Sequence, residues 1–355
     1  MSKTLAFLGL DGLREQALTL ASARTAARAG MKVLWVGQQA ADLGTGWLQQ
    51  TANSAKGDPV EVEPNLWVTQ ARTTDFLERN WNRIRALEAE YLRTPFFNNV
   101  YGQELGVLPG LDELFLLLAL RDWDQQYDLM VLSLSSNQSL LRLLAAPDQL
   151  SWYTRRFQDA FRNSPVSLAL MPFWEPLSRA IFAGTLSTSQ VGQKGGELNS
   201  LLQRAQQAAR KQVMLFLVTD DDPLRVRQAQ RLWGSAELYE LQVVGVLGMG
   251  LDPTGFDPLP TTTLGVPQDW TTWTVPDFSQ FPTRAPGLAV DSRLLTVRVF
   301  LPGFEKREIE LSQDGPELTL RVADQRRNLV LPEAFRGRRV RGAKFMDGAL
   351  LISFG

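Results

Sequence analysis

Apolar and polar positions set out a βαβ pattern from the first residues of the chain. Thr4 to Leu8 is a short apolar run of strand type. Residues 9–16 turn the chain into an Ala-rich helix predicted over Ala17 to Ala29, which Gly30 ends, and Met31 to Val36 is the next strand. Strand, glycine-containing turn, helix and strand feed a parallel sheet through a right-handed crossover. Alternation predicts a strand over 58–69, and helical periodicity puts Phe76, Trp81, Ile84, Leu87 and Tyr91 near one face of a helix over 75–92. Buried strands are predicted at Tyr127 to Leu132, Gln212 to Thr219 and Leu241 to Leu247, the last of the core. Asp220-Asp221-Asp222-Pro223 opens a helix as an N-cap with Pro in the first turn. Three adjacent aspartates diverge in direction, so capping explains them better than a metal does.

From Leu294 onward the pattern changes to short strands at close spacing, the mark of a β-sandwich. Asp347-Gly348 is a hairpin turn within it. Pro282 to Gly287 is the expected boundary, dividing the chain into 1–285 and 288–355.

Composition narrows the chemistry. The chain has 355 residues, 44% hydrophobic and 21% charged, with a net charge of −1. No apolar stretch is long enough to span a membrane, and the charge balance gives no footprint for nucleic acid. The N-terminus lacks a signal peptide's charged and apolar regions, so a cytoplasmic location is expected, or a plastid stroma in a plant or alga. Cys and His are both absent. That removes disulfides, thiolate nucleophiles, imidazole acid–base catalysis and imidazole or thiolate metal ligation. No catalytic residue and no metal site is assigned. The run Arg336, Arg338, Arg339 and Arg341 reads as a solvated loop or strand edge rather than a nucleic-acid site.

The first turn carries a resemblance. Gly9-Leu10-Asp11-Gly12-Leu13-Arg14-Glu15-Gln16-Ala17 lies without gaps on the G-K-G-G-V-G-K-T-T phosphate loop of the ArsA-type ATPases, which include arsenite pumps and tail-anchored-protein targeting factors. Pro109-Gly110-Leu111-Asp112-Glu113 and Leu141 to Leu144 are also similar to segments of that family. The tail, with Leu301-Pro302-Gly303-Phe304 and Ala343-x-x-x-Asp347-Gly348-x-Leu350-x-Ile352, resembles the α-crystallin domain of small heat-shock proteins. The combination resembles a branch of the family found in photosynthetic organisms. It implies an α/β fold, with a P-loop NTPase-like, mostly parallel sheet, helices on both faces and a small C-terminal all-β sandwich.

Against that pattern the nucleotide site is degenerate. Gly9 and Gly12 match glycines, while Asp11 replaces a glycine, Arg14 the last glycine, Glu15 the phosphate lysine and Gln16 the magnesium-binding threonine. Ser133 stands where the family has the aspartate that organises magnesium, and Gln38 or Gln39 falls near the family's water-activating aspartate. Like charges ~4 Å apart at an effective dielectric of ~20 repel by about 4 kcal/mol, so Asp11 and Glu15 oppose a phosphate. The plainer reading is an ordinary βα turn. In the targeting ATPases, apolar helices build a groove for a hydrophobic client. Met171, Phe173, Trp174, Leu177, Ile181 and Phe182 are the candidates here, and such a stripe is also what a core would need.

The resemblance thus implies a non-catalytic, chaperone-like binding protein, paired with a second copy as in the family and needing no cofactor. Two alternatives stay open. One is a divergent ATPase, with ATP and Mg as cofactors and Arg14 doing the lysine's work. The other is a pseudo-enzyme that regulates an active paralogue.

Overall fold

The computed structural model describes residues 2–10, 12–37, 58–71, 116–117, 119–120, 123–146, 212–269, 272–280 and 287–355. The expected class holds: a large, mostly parallel sheet with helices, followed by a C-terminal antiparallel all-β region. The chain divides into two compact units, Met1–Ser2 with Ala27–Ala209, and Lys3–Ala26 with Arg210–Gly355. The helix expected over 75–92, the segment 171–182 and the boundary at 282–286 lie outside the described residues. Among the described residues no helix is long and apolar enough to cross a membrane.

The second unit holds β1 (Lys3–Leu8), α1 (Gly12–Arg28) as far as Ala26, and several later strands. The first holds β2 (Val33–Gly37), β3 (Val60–Glu63), β4 (Leu66–Gln70) and β5 (Leu129–Ser133). In the first unit β2 lies between β4 and β5, parallel to both. The strand expected over 58–69 is instead an antiparallel hairpin, β3 with β4. Its turn is Pro64-Asn65, and Asn65 takes φ +63°, a conformation Asn tolerates better than most residues. Lys32 leads into β2. Its N–H donates to Asp128 Oδ2 (2.8 Å), and its ammonium lies over the Trp67 and Tyr127 rings at 5.0 and 5.1 Å. Burial raises the Tyr127 phenol above its ordinary value.

In the second unit β1 pairs in parallel with β6 (Val213–Thr219), β6 with β7 (Val243–Met249), and β7 with β8 (Thr261–Leu264). Thus β7 is not the last core strand; β8, with only Leu264 buried, is too short and polar to register as a core strand by sequence. Phe7, Phe216 and Phe278 form an aromatic cluster with centroids 5.0–5.9 Å apart.

Two further helices follow strands: α2 (137–146) after β5 and α3 (Pro223–Leu238) after β6. The cap of α3 is the expected one, since Asp222 Oδ1 accepts the Leu224 N–H at 2.9 Å and Pro223 opens the helix. Asp220 pairs with Arg225 at 2.9 Å.

The C-terminal region is a sandwich of two antiparallel sheets. Its strands are β9 (Leu288–Asp291), β10 (Thr296–Phe300), β11 (Ile309–Asp314), β12 (Glu317–Val322), β13 (Gln325–Val330), β14 (Val340–Met346) and β15 (Ala349–Phe354). Four strands run in the order β14-β15-β10-β9 and three as β11-β12-β13. Asp347 and Gly348 both take positive φ between β14 and β15, as a tight hairpin requires. Arg341 is on the edge strand β14, and Arg336 pairs with Glu333 at 2.8 Å. The sandwich core is Val297, Val299, Leu318, Leu320, Val322 and Ile352, each fully buried. The Gln313 amide joins β11 to the chain entering β14: its Nε2 donates to Arg338 O (2.8 Å) and its Oε1 accepts from Val340 N (2.8 Å).

Helix α3 packs against both β6 and the sandwich. The Trp233 ring meets Phe300 edge-on at 5.1 Å. Gly234 lets the backbone of Pro302 and the ring of Phe304 close in; a Cβ there would lie 2.4 Å from Pro302 O. Arg231 donates to Glu308 Oε1 (2.8 Å) and covers the Phe304 ring at 4.5 Å. Partial burial raises the Glu308 carboxyl, but bonds from the Glu305 N–H and Arg231, with the charges of Arg231 and Arg307, outweigh it and hold the group below its ordinary value.

Two outcomes are expected from this packing. Gly234→Ala lowers stability in urea unfolding by about 1–3 kcal/mol, because backbone on the far side cannot give way. Glu308→Gln costs about 0.5–1 kcal/mol at neutral pH, a small value because the pair is partly solvated. With the folded-state value depressed, that contribution is present above the ordinary Glu value of 4.5 and is lost as pH falls below it. The variant and the unmutated chain therefore converge in stability in acid.

Candidate functional site

The turn between β1 and α1 is built by two glycines with different reasons to be there. Gly9 takes φ +111°, and a Cβ on it would lie 2.1 Å from the Val218 carbonyl oxygen of β6. The strand's own neighbour thus demands glycine, whatever the turn binds. Gly12 takes φ +54° with open space around the Cβ position, so it serves only to swing the chain into the helix. Leu10 between them is buried, and Asp11 lies outside the described residues.

The helix begins at Gly12, five residues before the expected start. Once Gly12 has turned the chain, Leu13 to Gln16 contain no helix breaker, and Glu15 in the first turn complements the positive end of the dipole. Arg14 is exposed. Glu15 and Gln16 are 6% and 5% exposed. Every residue from Glu15 to Ala23 is buried, so this middle stretch of the helix is enclosed on all faces. The polar side chains further along it turn back on their own backbone: Thr19 Oγ1 donates to Gln16 O (2.8 Å) and Ser22 Oγ to Leu18 O (2.7 Å).

Glycines and first-turn side chains of the turn are therefore contiguous, all in the second unit. Ser133 is in the first unit, at the C-terminal end of β5, 3% exposed and in register with Gly37 of β2. After it comes a feature that sequence reading missed. Ser136 caps α2, its Oγ accepting the Ser139 N–H at 3.0 Å, and Ser139 Oγ lies 3.2 Å from Ser135 Oγ. The Ser-x-x-Ser spacing at a strand's end was the available signal. These hydroxyls carry no charge, and magnesium prefers anionic oxygen. Among the described residues no group of three or more acidic side chains could hold a metal ion.

A Cβ on Gly248 would lie 1.9 Å from Leu251 O, and Gly250 takes φ +85°. The segment 171–182 proposed as an apolar groove lies outside the described residues.

Substituting the two glycines should separate their roles. Gly9→Ala is expected to cost several kcal/mol or abolish folding, since backbone meets backbone there. Gly12→Ala costs only the strain of a left-handed residue, about 1 kcal/mol. Chemical denaturation of both variants checks the difference.

Comparison with known proteins finds two matching families and several relatives. Residues 6–248 match the family described as anion-transporting ATPase, and residues 295–354 match an HSP20-like domain found in ArsA. An uncharacterized protein of Streptomyces coelicolor is 27% identical over 99% of this chain and 97% of its own length. Proteins named as arsenical pump-driving ATPases, from Chlorobaculum tepidum and Aquifex aeolicus, are 25% and 22% identical over 50% and 43% of this chain. This chain spans 42% and 40% of their lengths.

Proposed function

The chain belongs to the anion-transporting ATPase family, and from that premise we propose that it keeps the family's frame without the ATP chemistry. In this reading residues 1–285 form a degenerate P-loop domain and residues 288–355 an α-crystallin-like one. The whole acts as a non-catalytic, chaperone-like binding protein for an apolar client. Pairing with a second copy and the client groove at Met171, Phe173, Trp174, Leu177, Ile181 and Phe182 are part of the same proposal.

The carrying observation is Glu15, a carboxylate buried in the first turn of α1. That turn is where the family resemblance requires a lysine to meet phosphate. An anionic ligand brought within ~4 Å of it meets about 4 kcal/mol of repulsion at an effective dielectric of ~20, roughly a thousandfold in affinity. Gln16 can offer magnesium only an amide oxygen, and Ser133 a neutral hydroxyl. The residues present do not fit magnesium–ATP, and no hydrolytic step is assigned to them.

The exposure of Arg14, one residue before Glu15, favours the second reading, a divergent ATPase in which the guanidinium meets the phosphates. Titration calorimetry with ATP and ADP, with and without magnesium, separates the two. The unmutated chain is expected to give no heat at millimolar nucleotide, while Glu15→Lys with Gln16→Thr restores measurable binding. Micromolar, magnesium-dependent binding by the unmutated chain would sink the non-catalytic reading.

A further inference from the structure

The last turn of α3 breaks two local rules, and both breaks face the sandwich. A helix C-terminus favours cations, because its unpaired carbonyls are the negative end of the dipole. Here the last turn has no basic residue; Glu237 stands in it and Glu240 follows the cap. Glu237 is 2% exposed. Its Oε1 accepts the Trp233 indole N–H (2.9 Å) and its Oε2 the backbone N–H of Gly287 (2.7 Å). Gly287 opens the chain into β9, and a Cβ on it would lie 2.3 Å from Glu237 Oε2.

Glu240 breaks a second rule. The helix ends in a Schellman motif: Leu241 N–H donates to Ala236 O (2.9 Å) and Glu240 N–H to Glu237 O (3.0 Å). The position after the cap then needs a left-handed residue, usually glycine. Glu240 sits there at φ +58°. Its carboxylate forms a buried ion pair at 3.5 Å with Arg327, on the inward face of β13. Burial pulls the Arg327 guanidinium down to about 10, which leaves it charged at neutral pH, so the pair is ionic.

The same stretch of helix also touches the start of β13. This strand is an edge of the three-stranded sheet, bonded on one side to β12. On its other side Tyr239 Oη donates to Arg326 O (3.4 Å), and Gln325 Nε2 donates to Ser235 Oγ (2.6 Å).

We infer that the C-terminal turn of α3 is a permanent dock for the sandwich, which holds the start of edge strand β13 against a second strand. Two residues that weaken the helix in isolation are both used at the contact, so the choice makes sense only with the sandwich in place. An edge strand normally offers its backbone to another chain. Here the first residues of that edge are taken by α3, which leaves β9 and β14 as the freer edges for a partner strand.

The test is a reversal of sign. Glu240→Gly relieves the left-handed strain but removes the partner of a buried arginine, a loss that outweighs the relief. With Arg327 present it lowers the melting midpoint by several degrees. In the Arg327→Met background, where no buried charge waits for a partner, the same Glu240→Gly raises the midpoint by about 3 °C. Equal shifts in both backgrounds would overturn the coupling. An independent measurement uses the full chain with a protease site inserted before Gly287. After cleavage the fragments are expected to co-elute as one species on gel filtration. Separation, with the sandwich fragment running as its own dimer, would overturn the dock.

Discussion

Helix α3 is the shared surface on which the second unit is assembled. One side of it packs on the strands β6 and β7, and the rest is given to the sandwich through Arg231, Trp233 and Gly234. The contact at Gly234 tolerates no side chain. Trp233 lies within ring contact of Phe256, 6.4 Å away in the loop after β7, and of Phe300 in the sandwich. A tryptophan buried between two such neighbours fixes distance and angle together, because its ring cannot shift without losing one of them. The indole N–H then positions Glu237, which in turn holds the chain entering β9. Fold and domain attachment thus depend on the same few side chains.

The phosphate-loop frame and the phosphate-loop chemistry are separable in this chain. Gly9 is required by the Val218 carbonyl across from it, and Gly12 by the swing into the helix. Neither needs a nucleotide. A glycine pattern in a βα turn therefore reports how closely strands and helix approach, while the charges between the glycines report what can bind. An acidic residue in a helix's first turn stabilises the helix through the same dipole that would draw an anion there.

Much of the fold could be read from the chain. Strands β1, β2, β5, β6 and β7 and helices α1 and α3 stand out because long apolar runs and a capped, periodic helix leave few alternatives. The failures have local causes. Pro64-Asn65 is a turn signal inside an alternating stretch, and alternation alone could not show that the chain doubles back. Strands β8 and β9 bury too few side chains to announce themselves. At the candidate site the residue types were readable. Their burial was not, because a residue's exposure in a helix depends on what packs around it and not on its own sequence. The role of Glu240 was equally hidden: a glutamate after a helix looks like ordinary surface until Arg327 is placed beside it.

The pairing of β1 with β6 joins Thr4 to Val213, about two hundred residues apart. On a ribosome adding ~5–20 residues each second, β1 and its apolar neighbours in α1 wait on the order of 10–40 s before that partner emerges. The sandwich closes among strands made within a few seconds of one another. Within this unit β1 and the start of α1 therefore wait longest between synthesis and burial, and their apolar surface is the part a cell must shield meanwhile.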